Sequence, residues 1–140
     1  MKNEIFINNI KFWVDQNIIY CKLFEDSNLN YSRENIESMF CEAISILSNG
    51  TFLPVIFDFE ELNSSHSLRF FKIISNNYKI KSAVLSKVFL IKNYRQKLLL
   101  SFYVLFSDSN VPNLIFRDLD LAIAYCNENY ATFNSLSYDH

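Results

Sequence analysis

The run Phe52-Leu53-Pro54-Val55-Ile56-Phe57-Asp58-Phe59 is apolar at both parities, with Asp58 its only charged member. Successive side chains of a β-strand point to opposite faces of the sheet, so such a run must be covered on both sides. It is too short for a buried helix. The segment is therefore predicted as the central strand of a mostly parallel sheet, with Val55 and Phe57 in the core. The rest of the chain has to supply the cover.

The flanking segments do so in alternation. Glu4 to Glu25 holds two β-rich runs, Ile5 to Val14 and Ile18 to Phe24, parted by the turn-forming Asp15-Gln16-Asn17, and reads as a β-hairpin. Ser32 stands as an N-cap, and Tyr31 is placed to staple onto Ile36. Ile36, Met39, Phe40, Ala43, Ile44 and Leu47 then follow helical spacing, and Ser48-Asn49-Gly50 supplies a left-handed C-cap. Beyond the central strand, Asn63-Ser64-Ser65 caps a second helix, about Ser65 to Tyr78, with Leu68, Phe71, Ile74 and Tyr78 on its apolar side. Ala83 to Ile91 reads as the next strand, and Lys92-Asn93 opens a third helix, about Tyr94 to Phe106. Val111-Pro112-Asn113 breaks that helix, and Leu114-Ile115-Phe116 forms a short strand. Asp118 caps a last helix that uses Leu119, Ala122, Ile123 and Cys126. The order predicts one α/β domain over residues 1–140, a single mostly parallel five-stranded sheet with an N-terminal hairpin and about four helices.

Composition removes several kinds of chemistry. Gly50 is the only glycine among 140 residues, so a Walker phosphate loop, a Rossmann turn and a glycine-flanked nucleophile elbow cannot be written anywhere. Cys21, Cys41 and Cys126 are too few and too widely spaced for a disulfide framework. With only His66 and His140 beside them they make no zinc-ligand pattern, so neither metal nor cofactor is expected. No charge-free stretch approaches the roughly 20 apolar residues of a membrane span, and the first residues lack the apolar core of a signal peptide. The expectation is a soluble cytoplasmic protein.

Leu53-Pro54-Val55-Ile56-Phe57-Asp58 ahead of the second helix, and Val111-Pro112-Asn113-Leu114-Ile115-Phe116-Arg117-Asp118 running into Ala122 and Tyr125, carry a family likeness. In these patterns and in element order the chain resembles the STAS fold of anti-sigma-factor antagonists and sulphate-transporter tails, and more closely small stand-alone SpoIIAA-like proteins. The resemblance implies a non-enzymatic regulatory or protein-binding module. It also implies phosphorylation of a serine in an Asp-Ser-Ser/Thr-Gly-Leu segment at the start of a helix, which controls docking to a partner kinase. The matching stretch here is Asn63-Ser64-Ser65-His66-Ser67-Leu68. Local matching puts Ser64 and Ser65 in the motif, whereas counting from Asp58 puts Ser67 at the acceptor position. Neither alignment contains the glycine.

Each candidate also has a plainer role. Ser64, Ser65 and Ser67 serve equally as helix caps, although a phosphate is electrostatically welcome at a helix N-terminus. His66 beside them makes no catalytic triad, because adjacency in sequence supplies neither convergence nor an oxyanion site. Asp58, with Glu60 and Glu61 after it, lies at the C-terminal end of a strand, where α/β sheets place ligands. Asp58, Asn63, His66, Arg69 and Lys72 are accordingly the ligand-facing or partner-facing candidates. An alternative function is a small enzyme, or a carrier of a hydrophobic ligand or lipid, with a pocket near Asp58 and the second helix.

Charge is unevenly spread. The net charge is −2, yet Ser64 to Ser107 contains no Asp or Glu and carries Arg69, Lys72, Lys79, Lys81, Lys87, Lys92, Arg95 and Lys97. These either solvate exposed surface or face an anionic partner: an acidic protein, a phosphopeptide or a lipid headgroup. Nucleic acid is not expected, since the rest of the molecule repels phosphate. From Leu98 to Phe106 only Ser101 is plainly polar, so apolar groups surround the third helix. A neighbouring helix, a second copy, or an apolar ligand or membrane surface must cover the excess. A homodimer through Leu99, Tyr103 and Phe106 is the expected assembly, beside a protein partner of unknown identity.

Overall fold

The computed structural model describes residues 4–25, 32–105 and 111–138. Strands are β1 (Glu4–Ile7), β2 (Ile10–Asp15), β3 (Ile18–Leu23), β4 (Pro54–Asp58), β5 (Ser86–Leu90) and β6 (Asn113–Phe116). Helices are α1 (Arg33–Ser48), α2 (Ser64–Ser75), α3 (Tyr78–Ala83), α4 (Tyr94–Val104) and α5 (Leu119–Tyr138). All six strands join one sheet in chain order, with β1, β2 and β3 antiparallel and β3 to β6 parallel. The α/β class and the single sheet agree with the sequence reading; the count is six strands and five helices rather than five and four.

Two local features account for the difference. Asn8 and Asn9 both take positive φ, 50° and 64°, and fold the first run back on itself, as Gln16 and Asn17 do at 48° and 66°. Asparagine tolerates the left-handed region well enough to make such a two-residue turn without glycine. The expected hairpin is thus a three-stranded meander. Asn77 ends the second helix early, because its side chain accepts from Ile80 N at 2.8 Å and caps a separate α3. Tyr78 therefore does not belong to the apolar side of α2 and is exposed.

The remaining caps follow the sequence. Ser32 accepts from Asn35 N at 3.2 Å, and Asn49 ends α1 in the left-handed region. Asp118 Oδ1 accepts from Asp120 N at 2.8 Å and Leu121 N at 3.2 Å. The staple assigned to Tyr31 lies outside the described residues.

Parallel crossovers are right-handed and here always advance in one direction across the sheet, so every crossover helix lies on the same face. Ile36, Phe40, Phe70, Ile74, Ile80 and Leu100 pack there against Phe12, Ile19, Val55, Phe57 and Phe89. Aromatic rings run through this layer, with Phe12 to Phe40 at 5.4 Å, Phe40 to Phe57 at 5.9 Å, Phe57 to Phe89 at 5.1 Å and Phe89 to Phe71 at 4.7 Å. The opposite face is left to α5, which brings Ala122 and Cys126 against Ile18, Ile56, Val88 and Leu90. The central strand β4 is consequently buried on both sides, with Val55, Ile56 and Phe57 fully inaccessible.

Candidate functional site

Strands β4 and β5 both end beside a helix start. Asn63 caps α2 by accepting from His66 N at 2.8 Å, and Asn93 caps α4 by accepting from Gln96 N at 2.8 Å. Two positive helix ends therefore meet at the C-terminal edge of the sheet, the usual ligand position in α/β folds. Between them lies a crevice of about 540 Å³ lined by Glu25, Glu60, Glu61, Leu62, Asn63, Ser64, Lys92, Asn93 and Gln96. Its walls are mainly carboxylate, amide and hydroxyl groups, which suits a polar occupant.

Glu25 organises one wall. It accepts from Asn63 N and Asn63 Nδ2, each at 3.0 Å, and stands 3.1 Å from His66 Nδ1. A carboxylate from the end of β3 thus occupies the N-terminus of α2, where its charge is favoured. Gln96 organises the other wall. It is buried, and its Nε2 donates to Leu62 O at 3.3 Å and to Ser64 Oγ at 3.4 Å. Its Oε1 has no hydrogen-bond partner among the described residues. A buried unsatisfied acceptor on a crevice wall is costly unless something donates to it.

The serines separate. Ser64 and Ser65 are exposed at the first turn of α2, while Ser67 is buried and its Oγ has no hydrogen-bond partner among the described residues. Two further positions along the helix turn the side chain inward, so Ser67 is inaccessible as a phosphoacceptor in this fold. None of the three is the cap, a role taken by Asn63.

Asp58 lies elsewhere. Strand alternation sets it on the α5 side with Ile56, and its carboxylate is 3.9 Å from Lys22 Nζ, which also pairs with Glu61 at 3.3 Å. Burial raises the Asp58 pKa against the opposing hydrogen bond from Glu60 N, and burial together with Asp58 raises that of Glu60. Arg69 and Lys72 sit further along α2; Lys72 Nζ lies 4.7 Å from the centre of the Tyr103 ring of α4. Of the five ligand-facing candidates, only Asn63 and His66 come together. Glu25, Lys92, Asn93 and Gln96 join them, and the Asn-cap pattern repeated at Asn63 and Asn93 was the available signal.

A family model described as "Domain of unknown function (DUF7793)" matches residues 12–129. The chain belongs to this family. The match runs from β2 into α5 and includes every residue lining the crevice. No curated protein and no solved structure matches the chain.

The other chemistry-bearing groups are held in structure. Cys21 and Cys126 are buried free thiols; burial raises Cys21 well above its ordinary value and pushes Cys126 up to about 12, so neither is a nucleophile at neutral pH. Among the described residues no group of three His, Cys, Asp or Glu could hold a metal ion. A larger groove, about 690 Å³, runs between α1 and α3 past Glu34, Glu37, Cys41 and Tyr78, and its one buried amide, Asn77, is already engaged as a cap.

The surface assigned to self-association is also redrawn. Leu99 and Tyr103 are half-buried, and Phe106 lies outside the described residues. The outward apolar residues of α4 and its C-terminal end are instead Tyr94, Leu98, Phe102 and Leu105.

Proposed function

We propose that this domain is a non-enzymatic regulatory module of the STAS/SpoIIAA-like kind, which binds a protein partner through the α2 end of the sheet and is switched by phosphorylation of Ser64 or Ser65. The observation that carries the reading is the exposure of these two hydroxyls at the N-terminus of a twelve-residue helix whose amide end is already held by a carboxylate. A phosphate on Ser64 or Ser65 competes with Glu25 for that positive end and repels it. Lys92 and the α4 N-terminus are the cationic groups available to receive the new anion. Displacing Glu25 detaches the end of β3 from α2 and alters the surface a partner reads.

The test compares partner capture from native lysate by the full chain and its Ser64→Asp, Ser65→Asp and Ser64→Ala forms. The switch requires at least one Asp variant to change the set or amount of captured partner while Ser64→Ala matches wild type. Capture unchanged in both Asp variants, with each still folded, would defeat it.

A further inference from the structure

The solvent side of α4 is apolar and ringed by cations. Tyr94, Leu98 and Phe102 recur every four residues and Leu105 follows at the helix end, all between 55% and 79% exposed. At 1.5 Å per residue they form a stripe about 16 Å long. Successive helix positions turn by 100°, so Arg95 lies on one flank of the stripe and Lys97 on the other. Arg95 is exposed and Lys97 half-exposed. Arg117 lies 5.8 Å from the Tyr94 ring at the N-terminal end. Asp118, next to Arg117 in sequence, accepts the capping bonds of α5, and Asp108, the first acidic residue after α4, lies outside the described residues. An exposed apolar stripe with one cation on each flank, on a segment with no acidic residue from Ser64 to Ser107, offers an anionic lipid surface both apolar and charged contacts.

From this arrangement we infer that α4 docks the domain onto an anionic lipid surface, with Leu98, Phe102 and Leu105 entering the headgroup boundary and Arg95 and Lys97 meeting lipid phosphates or carboxylates. Charge complementarity decides between this occupant and a second copy. Two α4 helices facing each other would bring Lys92, Arg95 and Lys97 of both copies together, whereas an anionic surface neutralises them. No helix among the described residues is long and apolar enough to cross a membrane, so the contact is peripheral. The inference does not depend on the serine switch, which lies in the crevice at the start of α2 rather than on the solvent side of α4.

Sedimentation with vesicles of phosphatidylcholine, alone or mixed with phosphatidylserine, tests it on the full chain. Binding is expected only to the mixed vesicles and should weaken as salt is raised. Arg95→Gln should lower it about fivefold, the equivalent of one cation at an anionic surface, and Phe102→Glu should abolish it. Both positions are exposed, so circular dichroism should show the fold retained. Absence of binding to either vesicle, or equal binding to both, would overturn the inference. So would a dimer that Phe102→Glu dissolves while vesicle binding is missing.

Discussion

Lys87, the second residue of β5, is fully buried, and its ammonium finds Ser75 O, at the C-terminal end of α2, at 2.9 Å. The helix end is the right sign for a cation, but burial, with Lys81 adding repulsion, lowers the Lys87 pKa from 10.5 to about 8. Below pH 8 both the folded and unfolded states carry the proton, and the buried charge costs stability. Between pH 8 and 10.5 the unfolded chain holds more protons, so the contribution of this residue to stability rises with pH, by on the order of 3 kcal/mol in all. The raised thiol and tyrosine groups act in the opposite sense and are common to wild type and variant. Urea unfolding of wild type and Lys87→Met at pH 7.5 and 10.5 should therefore show the difference moving in favour of wild type; a constant difference would mean that the amine titrates as if in water. Nothing in the sequence distinguishes Lys87 from its neighbouring lysines, because burial of one cation depends on which strand residue faces a helix end. Asn63, by contrast, was readable as part of a cap. Asn63→Ala removes the acceptor for His66 N and the hydrogen bond that Nδ2 donates to Glu25, and should cost about 1 kcal/mol in the same measurement.

The elements that packing fixes strongly were the ones legible in the sequence. β4 could be read because an apolar run at both parities has only one home, and α1 because its stripe and both caps agree. Phe57 contacts Phe40 and Phe89 at the centre of the layer, so Phe57→Ala should cost about 3–5 kcal/mol in equilibrium unfolding. Phe102 on α4 is 57% exposed, and Phe102→Ala should stay within about 0.5 kcal/mol of wild type. Similar costs at the two sites would contradict the assigned burial. α4 was legible as a helix but not in its orientation. Apolar residues on every side give no preferred face, and the buried Gln96, drawn inward by Leu62 O and Ser64, sets the rotation that leaves Leu98 and Phe102 outside. The division of the first run into β1 and β2 was hidden for a different reason, since Asn8-Asn9 turns the chain without glycine or proline.

At the scale of the molecule, one sheet with its crossover helices on one face brings the starts of α2 and α4 together at the C-terminal edge. The crevice is a consequence of that topology. Sequence placed Asn63, Ser64, Ser65 and His66 at a helix start. It did not show that Glu25, distant along the chain, would reach the same amides, because that contact depends on β3 lying beside β4 in parallel register. The proposed switch rests on this meeting of a carboxylate and two exposed hydroxyls at one helix end. Phosphosite mapping by mass spectrometry, on the protein isolated from its native cell, tests it most directly. A phosphoryl group is expected on Ser64 or Ser65 in part of the population and none on buried Ser67. Protein unmodified at both Ser64 and Ser65 under every growth condition sampled, or phosphate found on Ser67, would contradict it.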